Sequence, residues 1–360
     1  VVVEENIVHA SNSHHAMEPR SAAAYWEGGK CHVWGSTQST SFAQPGLAKL
    51  IGISPMDLVF VAEYCGGGFG GKATSYPLMA LPALMSKKMG GRPCLIRVSR
   101  AEEYYNGYAR GGFQAWAKLG FDAKGKILAA DVYVVQDLGN TSGFWDFNNV
   151  GSSVAIVFQP KNMRFRAVPV LTNTVPKGAQ RGPGENQASN MLEPLLDKAA
   201  RELGIDRVAL RKINAPGKGG KDAKYGPKQG PVTSAYLKEA LEKGAKQFDW
   251  VKRSKYSGKR VGNKVKAIGV GQAYHTAGYN GFDGLCRITP DGILHIHTGV
   301  GNLGTFSYAS TSRVCAEVLG YDWERCVIER GGTRKHIPFN IGQFGSNTTF
   351  TMSRTNYAAG

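Results

Sequence analysis

Leu58-Val59-Phe60-Val61-Ala62, followed three residues later by Gly66-Gly67-Gly68-Phe69-Gly70-Gly71-Lys72, is the stretch on which the fold turns. The first run is apolar, short and rich in β-branched and aromatic residues, so it reads as a buried strand. The second has five glycines in six positions. Such a backbone approaches a ligand closely and turns several N–H groups toward it. Anions, or oxygen atoms of a cofactor, suit that loop. Gly66, Gly71 and Lys72 fit the spacing of a nucleotide-binding P-loop, but Ala73 stands where a Ser or Thr must reach magnesium. Pro77 also disturbs the helix that should follow. Nucleotide hydrolysis is therefore disfavoured, and the alternative to a ligand loop is a tight structural turn.

Working outward, strands and helices alternate irregularly. Val1-Val2-Val3-Glu4 reads as the middle of a strand, with what precedes it removed or unrecorded. A helix is expected near Gly46–Ile53, and Tyr76–Met89 has helical spacing interrupted by Pro77 and Pro82. Residues 112–137 read as a hairpin turning at Asp122-Ala123-Lys124-Gly125. Ser189–Leu203 is the clearest helix, with Met191, Leu192, Leu195, Leu196, Ala199, Ala200 and Leu203 on one face. Gly204 ends it and Asp206 caps a short helix from Val208 to Ile213. Helix is expected over Ser234–Phe248. A second hairpin, Leu285–Ile288 and Ile293–His297, then leads into another glycine loop, Gly299-Val300-Gly301-Asn302-Leu303-Gly304-Thr305, and a helix ending at Leu319-Gly320. Strand, glycine-rich loop and helix thus occur twice. The expected class is α+β with mixed sheets and packed helices, divided as 1–216, a linker 217–232 and 233–360.

Composition bounds the rest. The 360 residues suffice for two or three domains, and 42% hydrophobic with 20% charged residues fits a folded chain. The formal charge of +17 suggests an anionic cofactor or an acidic partner. Much of the excess, Lys218, Lys221, Lys224, Lys228 and the stretch Lys252–Lys266, flanks Gly, Pro and Ser and reads as solvated linker, so no nucleic-acid partner is expected. The six cysteines include no C-x-x-C pair, which argues against a zinc ribbon or iron–sulfur motif. A reducing compartment is the simpler context, and no apolar run is long enough for a membrane span. His295 and His297 alternate on a strand and read as a surface pair. Arg181-Gly182-Pro183-Gly184-Glu185-Asn186-Gln187 places a planar cation between flexible residues just before the clearest helix. Gly345-Ser346-Asn347-Thr348-Thr349 is a hydroxyl-rich tract able to hold phosphate or pterin groups.

In order and spacing these pieces resemble the molybdenum-cofactor subunit of the xanthine dehydrogenase and aldehyde oxidase family. The resemblance runs through His15-Ala16-Met17-Glu18-Pro19, Trp34-Gly35-Ser36-Thr37-Gln38, Gly66–Lys72, Arg100-Ala101-Glu102-Glu103, Arg181–Gln187, Gly299–Gly320 and Gly345–Thr349. It implies two molybdopterin-binding domains, without the family's N-terminal hammerhead domain and C-terminal end. It implies molybdopterin, in its simple or cytosine-dinucleotide form, with no side chain ligating the metal directly. Gln38 would hydrogen-bond a molybdenum oxygen, and Gly67, Gly68, Phe69 and Gly70 would face the metal's apical side. Gly301, Asn302, Gly304 and Thr305, with Ser346, Thr348 and Thr349, would hold the pterin and its phosphate. Arg181 would orient substrate and stabilise developing negative charge, with Ala73 lining the substrate pocket.

The implied reaction is hydroxylation of an aldehyde, aromatic or N-heterocyclic compound with water as oxygen source. Electrons would pass to iron–sulfur clusters and FAD on partner chains. Residence would be cytoplasmic, or periplasmic where a partner carries the folded complex. Purine-oxidising members carry Glu in place of Ala73, carbon-monoxide-oxidising members Cys in place of Gly182, and many members Gln in place of Val300; neither xanthine nor a copper–molybdenum site is expected. The family's late Gly-x-Gly-Glu motif, source of its general base, does not occur. Another chain or segment would supply that Glu, Glu185 being the only substitute nearby. The alternative is a subunit that keeps the fold without the chemistry, and a more remote one, from the basic charge alone, is a nucleic-acid-binding protein.

Overall fold

A computed structural model of the chain describes residues 1–141, 143–217, 224–225, 230–232, 234–277 and 281–360. In chain order the strands are β1 (Val2–His9), β2 (Ser21–Glu27), β3 (Lys30–Gly35), β4 (Leu58–Val61), β5 (Cys94–Arg97), β6 (Phe113–Phe121), β7 (Ile127–Asp137), β8 (Asn162–Val170), the short β9 (Lys224–Tyr225), β10 (Gly230–Pro231), β11 (Arg260–Val261) and β12 (Lys264–Val265), then β13 (Leu285–Ile288), β14 (Leu294–Thr298) and β15 (Cys326–Arg330). The helices are α1 (Thr40–Ile51), α2 (Pro77–Lys88), α3 (Arg100–Asn106), α4 (Phe147–Val157), α5 (Glu185–Leu203), α6 (Arg207–Asn214), α7 (Leu237–Gln247), α8 (Trp250–Ser254), α9 (Ser307–Leu319) and α10 (Asn347–Ala359).

Two compact units, each discontinuous in sequence, contain these elements. Unit 1 comprises 1–12, 111–177 and 182–275; unit 2 comprises 13–110, 178–181 and 276–360. The linker expected at 217–232 lies largely outside the described residues.

Unit 1 is built on a mixed sheet in the order β1-β6-β7-β8, antiparallel except for β7 with β8. Phe113, Ala115, Ala117, Leu119 and Phe121 alternate inward along β6, as a half-buried strand requires. The turn to β7 forms because Asp122 Oδ1 accepts from the N–H groups of Lys124 (2.9 Å) and Lys126 (2.8 Å). Helix α5 lays Ala188, Leu192, Leu195, Leu196 and Ala199 into the same core. It starts at Glu185, four residues before the expected Ser189, because Gln187 reaches back to accept from Gly184 N at 2.8 Å. Asp206 caps α6 through Val208 N and Ala209 N.

Unit 2 holds two further mixed sheets, β4-β3-β2-β5 and β13-β14-β15. On the first, Ala22, Ala24, Val33, Leu58 and Phe60 meet Ala43, Leu47, Met79 and Ala83 of α1 and α2. Three expectations are corrected here. Helix α1 begins at Thr40 rather than near Gly46, because Ser39 caps it through Phe42 N and Pro45 is accommodated inside. Helix α2 is unbroken: Pro77 stands in its first turn, where no N–H is needed, and Pro82 is carried in the interior. His297 is not a surface residue but 4% exposed, its Nδ1 at 2.8 Å from Lys335 O, while His295 pairs with Glu329 at 3.2 Å. Among the described residues no helix is long and apolar enough to cross a membrane.

Candidate functional site

The expected site residues Gln38, Gly67, Gly68, Phe69, Gly70, Ala73, Arg181, Gly301, Asn302, Gly304, Thr305, Ser346, Thr348 and Thr349 all belong to unit 2. Strand β4 delivers the first glycine loop. Gly67, Phe69 and Gly70 take positive φ, of 97°, 53° and 103°. Packing demands glycine as much as any ligand would. A Cβ on Gly66 would lie 2.4 Å from Glu18 Cβ, on Gly68 2.5 Å from Gln38 Oε1, and on Gly70 2.1 Å from Ala179 O.

Gln38 organises the loop from behind. It is 3% exposed; its Oε1 accepts from Gly70 N at 2.9 Å and Lys72 N at 3.2 Å, and its Nε2 donates to Gln343 O at 2.9 Å. An amide nitrogen carries two hydrogens, so one N–H of Gln38 is left for a further acceptor.

Arg181 meets the loop from the other side. Its N–H donates to Phe69 O at 2.8 Å and its guanidinium lies over the Phe69 ring, 5.4 Å from the centroid. The side chain is otherwise exposed. Its segment is held by Arg110, which donates to Gln180 Oε1 (2.6 Å) and Arg181 O (2.7 Å), and by His14, whose two ring nitrogens lie 2.7 Å from Ala179 O and 3.0 Å from Tyr108 O. Burial, with Arg20 and Arg110 nearby, pushes the His14 pKa below its ordinary value. The two carbonyl contacts oppose that shift, since a carbonyl oxygen only accepts and each is best met by a ring N–H.

Lys72 faces inward. Its ammonium is 2% exposed and donates to Glu18 O (2.9 Å) and Glu18 Oε2 (3.0 Å), while that carboxylate also accepts from Gly66 N. Glu18 and Lys72 thereby staple the two ends of the loop, which accounts for the P-loop-like spacing without a phosphate. Lys72→Met is expected to lower the unfolding free energy of unit 2 by about 1–3 kcal/mol, as for other buried donors removed from a charged acceptor. Urea titration followed by hydrogen exchange in residues 16–20 and 66–72 measures it.

The second glycine loop runs beside the first. Asn302 N donates to Glu63 O, Cys65 N donates to Asn302 O, both at 2.9 Å, and a Cβ on Gly301 would lie 2.1 Å from Ala62 O. The Asn302 side chain turns back on its own loop, accepting from Gly304 N at 2.8 Å, whereas Gly304 and Thr305 are exposed. Val300 is 1% exposed and packs with Phe282 and Met352. Helices α9 and α10 then run side by side in the same direction: Asn356 Nδ2 donates to Thr311 O, and Gly360 lies against Cys315 O. Ser346 precedes α10 at φ 54° without capping it through its side chain; Ser346 and Thr349 are exposed and Thr348 is half-buried.

Glu185 belongs to unit 1 and is 4% exposed. Its Oε1 accepts from His275 Nδ1 at 2.9 Å, a contact that raises the His275 pKa. Sequence reading did not single out the structural parts played by Gln343, His14 or the Glu18–Lys72 staple; only the Glu18 segment and Lys72 carried any motif.

The molybdopterin cofactor-binding domain models match this chain over residues 1–215 and 243–359. The aldehyde oxidoreductase molybdenum-binding subunit of Escherichia coli O157:H7 is 27% identical over 97% of the chain and 47% of its own length. The putative xanthine dehydrogenase molybdenum-binding subunit of Escherichia coli K12 is 26% identical over 94% and 46%. Among solved structures, the aldehyde oxidoreductase of Desulfovibrio desulfuricans superposes with a TM-score of 0.87 at 23% identity, covering 100% of this chain and 40% of that one. Quinoline 2-oxidoreductase of Pseudomonas putida 86 gives 0.82 at 22%, covering 100% and 48%. The chain thus spans about half the length of the curated relatives it matches.

Proposed function

The chain belongs to the molybdopterin cofactor-binding domain family, and we propose that it forms the molybdenum-cofactor part of an oxidoreductase hydroxylating an aldehyde, aromatic or N-heterocyclic substrate, with water as oxygen source. The observation that carries this reading is the gathering of Gln38, the Gly66–Lys72 loop and Arg181 in one unit. The residues fit such a group. Gln38 keeps an unused N–H, the loop is glycine apart from Phe69 and the inward-facing Lys72, and two 13-residue helices begin beside exposed hydroxyls.

When bound, the cofactor supplies a two-electron acceptor at its metal. Gln38 Nε2 donates its remaining hydrogen to an oxygen of that group. Gly67, Gly68, Phe69 and Gly70 present their backbone to the metal side, with the Phe69 ring turned to Arg181. Gly301, Gly304 and Thr305, with Ser346, Thr348 and Thr349, hold the pterin and its phosphate, helped by the partial positive charge at the starts of α9 and α10. Arg181, kept beside Phe69, orients substrate and balances the negative charge that builds up in the reaction. Ala73 lines the substrate side. The simple and cytosine-dinucleotide forms of molybdopterin are both compatible with these groups.

We assign the general base to a Glu supplied by another chain or segment rather than to Glu185, which belongs to unit 1 and whose Oε1 accepts from His275. Iron–sulfur and flavin centres lie on partner chains, and the complex works in the cytoplasm or is exported already folded.

Metal analysis of the natively purified complex is expected to find about one molybdenum per copy of this chain, in line with one cofactor per site. Gln38→Ala and Arg181→Ala are each expected to cut turnover by about 100-fold or more, the usual loss for one positioned donor. Absence of molybdenum and of pterin fluorescence overturns the reading. Unchanged turnover in both variants overturns the catalytic part and leaves a subunit with the fold alone.

A further inference from the structure

We propose that Gln343 is the positioning residue that couples the two glycine loops, setting Gln38 through its backbone and the second loop through its side chain; this rests on the cofactor reading above. Gln343 N donates to Gln38 O at 2.8 Å, and Gln343 O accepts from Gln38 Nε2 at 2.9 Å. That reciprocal pair fixes both the backbone and the carboxamide of Gln38. The carboxamide oxygen in turn holds Gly70 N and Lys72 N. With one Nε2 hydrogen committed to Gln343 O, the direction of the other is set as well, because the amide is planar.

The Gln343 side chain points to the second loop. Its Nε2 donates to Gly301 O at 2.8 Å, and its Oε1 accepts from Ser307 Oγ at 3.3 Å, at the first residue of α9. The residue is 8% exposed, and the chain enters it through Gly342 at φ 122°, where a Cβ would meet the Phe344 ring at 2.3 Å and Ser39 Cβ at 2.9 Å. Position 342 therefore favours glycine, and the chain passes close to Ser39 just before Gln343. One residue therefore touches the Gln38 layer, the Gly301 carbonyl and the start of α9. Both of its side-chain bonds run to groups of the protein, Gly301 O and Ser307 Oγ, which makes it a positioning group rather than a catalytic one.

Two substitutions separate its contacts. Gln343→Met keeps the length and loses both side-chain bonds. Gln343→Glu still accepts from Ser307 but faces Gly301 O with charge instead of a donor. In the purified complex both variants are expected to retain molybdenum and to lower kcat by about tenfold with KM within about twofold, the size of one buried hydrogen bond acting through a neighbour. Amide exchange at Asn302, whose N–H shares a peptide unit with the Gly301 carbonyl and donates to Glu63 O, and at Gly70 and Lys72 should rise together by about five- to tenfold. The Gln38→Ala, Gln343→Met double variant should be no slower than Gln38→Ala alone, because the two act as a unit.

Exchange that rises at Asn302 while Gly70 and Lys72 stay unchanged overturns the coupling, as do losses that multiply in the double variant. Unsubstituted complex lacking molybdenum and pterin overturns the cofactor reading and this proposal with it. Normal metal content with uncoupled exchange overturns only the part assigned to Gln343.

Discussion

Gly70→Ala empties the site: the purified variant is expected to carry less than about one hundredth of the wild-type cofactor affinity, combining left-handed strain with a clash that cannot relax. An added Cβ would lie 2.1 Å from Ala179 O and 2.8 Å from Ala179 C, both backbone atoms, with φ at 103°. Backbone cannot swing aside as a side chain can, so either the loop or the Ala179–Arg181 segment must move. If the loop moves, Gly70 N leaves Gln38 Oε1; if the segment moves, Arg181 N leaves Phe69 O. Either displacement disturbs one of the groups proposed to face the cofactor. Molybdenum and pterin content, measured beside circular dichroism, checks the result. Gly204→Ala is the control: its φ of 66° is also left-handed, but nothing lies within 4 Å, so it should cost stability and leave the cofactor in place. Retention of cofactor by Gly70→Ala at the control's level would remove the loop from the binding site.

Arg211→Ala is expected to destabilise unit 1 by about 3–5 kcal/mol, the cost of leaving a buried carboxylate without its cation. Arg211 is 0% exposed. It pairs with Glu193 Oε2 at 2.7 Å and with Asp197 Oδ1 at 2.8 Å, and donates to the carbonyls of Arg207 and Glu193. Even with that partner, burial dominates and pushes the Glu193 pKa from 4.5 up to about 7. The folded value lies above the unfolded one, so the native state binds the proton more tightly. The resulting stabilisation is complete below the unfolded pKa and is lost as pH rises through about 7. Without Arg211 the carboxyl keeps its proton to still higher pH, and the defect of Arg211→Ala should be larger at pH 8 than at pH 6. Urea unfolding at the two pH values measures both the size and the sign. A loss below about 1 kcal/mol, the range of an exposed ion pair, would mean that the network contributes no more than a surface one.

Much of the fold was legible because local pattern and tertiary role agree. The alternation along β6, the Asp122 turn and the apolar face of α5 each need only neighbours in sequence. Where a residue's role is set by distant contacts, reading failed. Pro45 and Pro82 look like helix breakers, yet packing of Ala43, Leu47, Met79 and Ala83 carries both helices past them. His297 alternates as a surface residue would, but β15 and Lys335 enclose it. Lys72 sits at a phosphate-binding spacing and faces Glu18 instead. Within the site, the glycine loops and Arg181 announced themselves by composition. Gln343 did not, because a glutamine in a polar tract has no pattern; its meaning comes from partners at positions 38, 301 and 307.

The hydrogen bond from Gln38 to Gln343 joins residues 305 positions apart, and this bears on the order in which the molecule comes together. A contact of that span forms only after a very long loop has closed, and such contacts slow folding. Strand pairs such as β2 with β3, or β6 with β7, can form while the rest of the chain is still disordered. The alignment of the two glycine loops cannot, since its second half is near the end of the 360 residues. During synthesis the first loop therefore leaves the ribosome long before the residue that completes it. The two loops can be aligned only once both have been made, so a cofactor that needs both is expected to enter after translation of this region.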